Sequence, residues 1–165
     1  MTHRVFQFDS PGTVDAWRSI DDVVMGGVSA SRLRFDSAGH AVFEGCVSLE
    51  NNGGFASIRS DAMDLGVAGA SHYEIELRGD PKRYKFNLRT DDSTDGVLYQ
   101  VTFMPAPGDW ARLRLLVADF RPTFRGRPVS GAPPLDPARV RQMGFLIGDR
   151  QSGRFSLSLR SIVAG

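Results

Sequence analysis

Residues 72–78 read HYEIELR, and this alternation decides the fold class. Its apolar residues Tyr73, Ile75 and Leu77 would lie on one side of an extended chain, and its two glutamates on the other. Successive side chains of a β-strand point to opposite faces, so such a segment buries one face and leaves the other solvated. The stretch therefore predicts a strand in a sheet that packs on a core with one face.

The same period of two recurs on both sides of this stretch. Short turns rich in Gly, Pro, Asp and Ser separate the alternating runs, which is typical of an antiparallel β-sandwich. Further strands are predicted at 5–8, 29–35, 41–48, 55–60, 83–90, 97–103, 111–117, 145–147 and 155–159. Only residues 136–143, DPARVRQM, indicate a helix, because Asp136 can cap it and Pro137 fits its first position. No linker or repeat divides the chain, so we predict an all-β fold in one domain, 1–165.

Two polar corners with glycine pairs stand out against this background. Residues 17–29 read WRSIDDVVMGGVS, and residues 48–59 read SLENNGGFASIR. Glycine pairs allow tight bends, so each corner can shape a surface for a partner. Alternatively, the polar side chains satisfy backbone donors in the turns, and an arginine pairs with one of the acids inside the fold. The residues concerned are Asp21, Asp22, Asn51, Asn52 and Arg59.

The charge distribution limits the partner classes. The net charge of +1 argues against a dedicated nucleic-acid binder. Residues 105–165 nevertheless carry ten Arg against four Asp, a balance of +6, whereas residues 1–104 carry a balance of −5. This asymmetry reflects either genomic codon bias or arginines placed to bind carboxylates or phosphates.

Cysteine usage and the first residues bear on the compartment. With Cys46 as the single cysteine, no internal disulfide can form, and its position within a predicted strand favours an inert buried thiol. The first residues lack an apolar signal region, and no run is long enough to span a bilayer. We therefore predict a cytoplasmic protein without a membrane span.

Motifs for catalysis are missing from the sequence. None of the three histidines lies in a nucleophile or metal motif, and there is no nucleophile elbow, phosphate loop or dinucleotide fingerprint. We predict neither enzyme activity nor a cofactor or metal. One alternative stays open, a hydrolase that pairs Asp21 or Asp22 with Glu44 or Glu50.

A polar sheet face offers a second candidate site. Two predicted strands, 83–90 and 97–103, project amides and basic groups to one side, and a third, 111–117, is expected to continue that face. Such donors and acceptors suit polyols, carboxylates or a partner's loop, although an ordinary solvated face has the same pattern. Trp17 is expected in the core. The candidate residues are Asn87, Arg89, Gln100 and Arg112.

Together these motifs resemble a known family. The two corners are followed by FRGRPV at 124–129, PLD at 134–136 and MGFLIGDRQSG at 143–153, with FEG at 43–45 between the corners. In this order they resemble the CIA30 family, named for complex I intermediate-associated protein 30. The resemblance implies a jelly roll like that of galactose-binding domains. It also implies, for mitochondrial members, a chaperone-like role in assembling NADH:ubiquinone oxidoreductase.

The resemblance supplies no catalytic residues. Because an Arg-rich presequence is not seen, we expect the chain to resemble the free-standing bacterial-type members. We predict a non-enzymatic binding module that aids assembly or stability of a protein complex, with respiratory-complex subunits as the implied partners. Arg125 and Arg127, in the predicted loop 121–127, would pair with partner carboxylates. The alternative is a carbohydrate- or small-ligand-binding β-sandwich.

Overall fold

Two antiparallel sheets build the molecule. The computed structural model describes residues 2–22, 26–90 and 96–165, apart from the side chain of Asn52. One short helix, α1 (Pro11–Asp15), and 3₁₀ turns at Glu50–Asn52, Val117–Asp119 and Pro137–Arg139 accompany the strands. The strands are β1 (His3–Gln7), β2 (Trp17–Ser19), β3 (Ala30–Asp36), β4 (His40–Val47), β5 (Ala56–Ser60), β6 (His72–Gly79), β7 (Tyr84–Thr90), β8 (Leu98–Phe103), β9 (Ala111–Leu116), β10 (Arg121–Phe124), β11 (Arg127–Pro128), β12 (Val140–Ile147) and β13 (Gly153–Ala164).

The two sheets divide the strands as follows. The first sheet has the order β3-β4-β13-β6-β9, and β1 pairs with the C-terminal part of β13. The second sheet has the order β11-β10-β8-β7-β12-β5-β2. The predicted β-sandwich and every strand inferred from the alternation are confirmed, with ends that differ by a few residues.

The core lies between the sheets and is rich in aromatic rings. Phe145 of β12 packs 5.0 Å from the ring of Phe86, 6.1 Å from Trp17 and 6.3 Å from Phe103, centroid to centroid. Tyr73, like these rings, lies inside. The predicted core position of Trp17 is therefore confirmed, and the same alternation that fills the core leaves polar side chains on the outer faces.

The predicted helix at 136–143 is wrong beyond its first turn. The Asp136 side chain does accept a hydrogen bond from the Ala138 N–H at 3.0 Å, and Pro137 opens a 3₁₀ turn. From Val140 onward, however, the chain forms β12, which pairs with β5 on one side and β7 on the other. Two ladders of hydrogen bonds in the centre of a sheet outweigh the local signal for a helix start.

Two further expectations are corrected. The segment 121–127, predicted as a loop, belongs instead to the hairpin β10–β11, and β10 extends the second sheet by pairing with β8. Cys46 is exposed rather than buried, because its neighbours Phe43 and Val47 point into the core and the alternation turns Cys46 to the outer face of β4.

Candidate binding groove

A groove of about 890 Å³ lies over the outer face of the second sheet. Outward side chains of β5, β12, β7 and β8 line it, and the tip of the hairpin β10–β11 forms part of its wall. A volume of this size falls within the range of pockets that hold a small ligand or a short segment of a partner. The lining residues used below are Arg59, Lys85, Asn87, Arg89, Gln100, Gln142 and Leu146.

Strand register places polar groups in rows across the groove. Arg59 of β5 lies opposite Gly144 of β12, which lies opposite Asn87 of β7, and Asn87 in turn lies opposite Gln100 of β8. The Gln100 amide donates from Nε2 to Oδ1 of Asn87 at 2.8 Å. In the adjacent row Gln142 lies opposite Arg89. Three of the predicted site residues, Asn87, Arg89 and Gln100, therefore lie together as the alternation indicated.

Arg59 and Arg89 are half-buried in this groove. Burial lowers the pKa of both guanidinium groups, and the positive charge of Arg59 lowers that of Arg89 further. Arg89 donates from Nη1 to the Gly96 carbonyl at 3.4 Å. Neither forms an ion pair with the part of the chain that the structure describes, so the expected pairing of Arg59 with an acid of the corners is absent there. The groove therefore holds two cations without a counter-charge among these residues.

Other charges at the groove are paired or exposed. Lys85 donates from Nζ to Oδ1 of Asp149 at 3.2 Å, and the Arg83 guanidinium lies 3.7 Å from the same carboxylate. Arg125 has a positive φ of 50° at the hairpin tip, and its guanidinium lies 5.2 Å from the centroid of the Phe124 ring. The hairpin tip therefore brings an apolar ring and a cation to the rim.

The two glycine-rich corners meet at one end of the groove, around Asp22. This carboxylate is completely buried and accepts four hydrogen bonds: from Ser29 N at 2.9 Å, Ser29 Oγ at 2.6 Å, Gly54 N at 2.7 Å and Phe55 N at 3.2 Å. A Cβ on Gly27 or on Gly53 would overlap the Asp22 carboxyl group. One glycine of each pair is therefore required by the close approach to a single carboxylate.

Asp21, the residue before Asp22, also connects the two corners through its carboxylate. Its carboxylate accepts from Ser31 N at 2.9 Å, Ser31 Oγ at 2.6 Å and Ser57 N at 3.0 Å. Asp21 thus connects β5 to the start of β3, and Asp22 connects the residues that immediately precede these two strands. The geometry corresponds to the structural interpretation of these corners, in which side chains satisfy backbone donors.

Unfolding should become easier at acid pH because of these contacts. Burial raises the pKa of Asp22 and Glu44, but hydrogen bonds from Ser29, Gly54 and Phe55 to Asp22, and from Arg32 and Arg34 to Glu44, outweigh it and lower both pKa values. A carboxyl group whose pKa is lower in the folded state stabilises the protein at pH values above its unfolded-state pKa. This stabilisation is lost as the pH falls through the folded-state pKa. For His40 burial has the opposite direction: it disfavours the charged imidazolium and therefore lowers the pKa. Urea midpoints should fall modestly below pH ~6.5 and steeply below pH ~4; midpoints constant from pH 7 to 3 would contradict this.

Several predicted site residues lie away from the groove. Arg112 belongs to β9 in the first sheet, opposite Glu76 of β6, because the chain crosses between the sheets after β8. The prediction that Arg112 continues the polar face is therefore wrong. Asn51 is exposed with a positive φ of 55° in a 3₁₀ turn, and Arg127 is exposed in β11. The Asn52 side chain and residues 23–25 of the first corner lie outside the described residues.

The carboxylates of the hydrolase alternative do not meet as a catalytic pair. Asp21 and Asp22 are held by backbone and serine donors, whereas Glu44 hydrogen-bonds Arg32 and Arg34 on the first sheet. Glu50 is exposed in its own turn. A hydrolytic pair needs two carboxyl groups within about 5–10 Å across an open cleft, so we drop this hypothesis.

Sequence reasoning missed three groove residues. Gln142 was hidden by the helix prediction for 136–143, and Leu146 lay in the predicted strand 145–147 but was not assigned to a site, although alternation through 142, 144 and 146 matches a strand with one outward face. Lys85 follows the pattern of Asn87 and Arg89 and could have been included on that basis.

Residues 2–22, 26–90 and 96–165 contain neither a metal-ion cluster nor a helix that could span a membrane. No cluster of three or more His, Cys, Asp or Glu there is arranged to hold a metal ion. Nor does any helix within those ranges have the length and apolar character needed to cross a membrane.

Sequence comparisons find a family and a fungal relative. The profile of the family described as complex I intermediate-associated protein 30 (CIA30) matches residues 6–159. An uncharacterized protein of Schizosaccharomyces pombe, C9E9.15, is 31% identical over 168 residues, which cover 90% of this chain and 77% of that protein.

Solved structures of carbohydrate-binding modules share the fold. The family 11 module from Clostridium thermocellum, in complex with a β-1,3-1,4-mixed-linked tetrasaccharide, has a TM-score of 0.70 at 15% identity, covering 99% of this chain and 94% of that one. A variant of a family 29 module has a TM-score of 0.55 at 10% identity, covering 100% and 91%. At such identities the likeness establishes the jelly-roll β-sandwich alone.

Proposed function

This chain belongs to the complex I intermediate-associated protein 30 (CIA30) family, and we propose that it is a non-catalytic binding module that helps assemble or stabilise a protein complex. In this proposal the groove over the second sheet holds a segment of a partner protein. The family's name suggests that the partner is a subunit of complex I, NADH:ubiquinone oxidoreductase. The corners and the hairpin β10–β11 then serve as rigid walls around the bound segment.

The observation that carries the proposal is the difference between the two outer faces. On the first sheet, Arg32 and Arg34 pair with Glu44, and Arg160 lies 3.7 Å from Glu76. Within the described part of the groove, Arg59 and Arg89 lack such partners although both are half-buried. Desolvating a cation without a counter-charge is unfavourable, so an arrangement of this kind is better explained by a ligand than by stability.

Filling the groove tests the proposal. Leu146 lies in the groove on β12, an inner strand of the second sheet. We expect Leu146→Trp to reduce capture of partner subunits at least about tenfold, since a bulky ring would occupy the space of the segment. The measurement is quantitative mass spectrometry of proteins that co-purify with the tagged chain from its native cells.

A matched control lies on the other sheet. Leu116 of β9 is 46% exposed outside the groove, and Leu116→Trp should leave capture within about twofold of wild type. Equal capture by Leu146→Trp and wild type would remove the groove from the proposal. Recovery of no complex I subunit by the wild-type chain would count against the assembly role itself.

Carbohydrate binding is the second candidate, and the jelly roll shared with a module that holds a tetrasaccharide favours it. Among the described residues, however, the aromatic side chains that line the groove are Phe55 and Phe124. Tyr99 and Trp17 point into the core. A rise in melting temperature with β-1,3-1,4-mixed-linked tetrasaccharide, lost in Arg89→Ala, would replace the leading proposal with this one.

A further inference from the structure

We propose that Arg59 and Arg89 form a subsite for a carboxylate, supplied by a Glu or Asp side chain in an extended segment of the partner protein. This inference rests on the proposed function, in which the groove holds a segment of a partner protein, and it names the chemical group that this segment must carry.

The backbone places the two arginines around a position without a side chain. Arg59 lies opposite Gly144, and Gln142, two residues before Gly144 on the same face of β12, lies opposite Arg89. A Cβ at Gly144 would lie 2.9 Å from the carbonyl oxygen of Ile58, so the close approach of β5 and β12 favours glycine there. In the row formed by Arg59, Gly144 and Asn87, no side chain of β12 therefore lies between Arg59 and β7.

Charge balance makes an anion the expected occupant. Two half-buried cations repel each other, and the described part of the chain supplies no carboxylate to either. Of the acids that line the described part of the groove, Asp149 is already engaged by Lys85 and Arg83, and Asp22 by its four hydrogen bonds. A bound anion would remove the repulsion and regain the interaction that the guanidinium groups lose on burial.

The geometry of the donors favours a carboxylate. Guanidinium groups present paired N–H donors that match the two oxygens of a carboxylate, which gives bidentate hydrogen bonds. Two arginines can therefore hold one carboxylate from both sides, as a single lysine could not.

The rest of the groove suits an extended peptide. Asn87 and Gln100 hold one another through a single hydrogen bond, and the Gln142 amide donates to the Ser60 carbonyl at 2.7 Å, so each amide keeps further capacity to bond. Amides of this kind pair with peptide N–H and C=O groups. Leu98 and Leu146 offer apolar contact to the intervening side chains of the segment.

Calorimetric titration of the folded chain with a short peptide tests the subsite directly. The probe is acetyl-Glu-Val-Glu-Val-Glu-amide, in which an extended backbone puts all carboxylates on one face. We expect binding that weakens with added salt, and at least about tenfold weaker binding for the same peptide with Gln in place of Glu. Replacing Glu by Gln in the peptide tests the carboxylate subsite without altering the protein.

Protein variants localise the effect. Arg59→Gln and Arg89→Gln should each weaken binding at least about tenfold. Arg112→Gln removes the same charge from the other sheet and should stay within about twofold of wild type. Because Arg59 is half-buried without a partner among the described residues, Arg59→Gln should also melt a few degrees higher than wild type, which separates lost binding from lost folding.

Each contrary result has a definite meaning. Equal affinity for the Glu and Gln peptides, or unchanged affinity in both arginine variants, would overturn the carboxylate subsite. Tighter binding of inorganic phosphate or of glucuronate than of the Glu peptide would assign the arginines to a phosphate or an acidic sugar instead. Peptide binding together with no capture of complex I subunits would keep the subsite and reject the assembly role.

Discussion

Replacing Asp22 by asparagine is expected to lower the free energy of unfolding by about 3–5 kcal/mol at pH 7. All four donors around this buried carboxylate point at its two oxygens, three of them at Oδ2. An asparagine amide has one acceptor oxygen, so in either orientation its NH₂ group faces an N–H donor. The variant therefore loses charge-assisted hydrogen bonds and gains a contact between donors in a site closed to water.

Urea denaturation at pH 7 measures this effect, with Asp61→Asn as the matched control. Asp61 pairs with Arg18 at 2.5 Å on the surface, and its loss should cost less than about 1 kcal/mol. The gap between wild type and Asp22→Asn should also narrow below pH ~4, because the unfolded wild-type chain then binds a proton at this carboxylate, whereas the lowered pKa keeps the folded carboxylate charged until lower pH. Equal stability of the two variants at pH 7 would mean that Asp22 does not hold the corners together.

Phe145→Ala is expected to destabilise the protein by about 4 kcal/mol. The ring is completely buried and packs against the rings of Phe86 on the neighbouring β7, Phe103 on β8 and Trp17. Its removal leaves a cavity beneath β12, the strand that carries Gly144 and Leu146 at the groove. Because rigid sheet neighbours cannot collapse into this space, most of the lost contact energy is not recovered.

Thermal and chemical melts of Phe145→Ala and Phe124→Ala give the comparison. Phe124 is 39% exposed at the groove rim, so its truncation should cost about 1 kcal/mol or less. A melting temperature for Phe145→Ala within about 2 °C of wild type would contradict the central role of this ring. An equal loss in the two variants would do the same.

Alternation identified strands because side-chain direction is a local property. Tyr73, Ile75 and Leu77 are buried as predicted, and so is the Trp17 ring. Alternation does not say which strands become neighbours, since pairing depends on contacts distant in sequence. Arg112 illustrates the limit: its outward direction was correct, but β9 joined the first sheet and carried it away from the groove.

Only part of the groove could be predicted, because alternation brings together residues on strands that are adjacent in the sequence but not residues on distant strands. Asn87, Arg89 and Gln100 lie on strands adjacent in sequence that pair directly, so local reasoning brought them together. Arg59 reached the groove through the pairing of β5 with β12, two strands far apart in the sequence, so local reasoning could not place it there. The helix prediction for 136–143 hid Gln142 in addition. An N-cap residue followed by proline indicates that a helical turn begins, but says little about its length.

The position of β13 has a consequence for synthesis on the ribosome. This last strand pairs with β1, β4 and β6, so it forms the centre of the first sheet. Those three strands emerge from the exit tunnel before their common neighbour has been translated, and each exposes an unpaired edge in the meantime. The nascent chain is thus expected to need shielding from aggregation until β13 has emerged from the tunnel, whereas the hairpin of β3 and β4 can form as soon as it emerges.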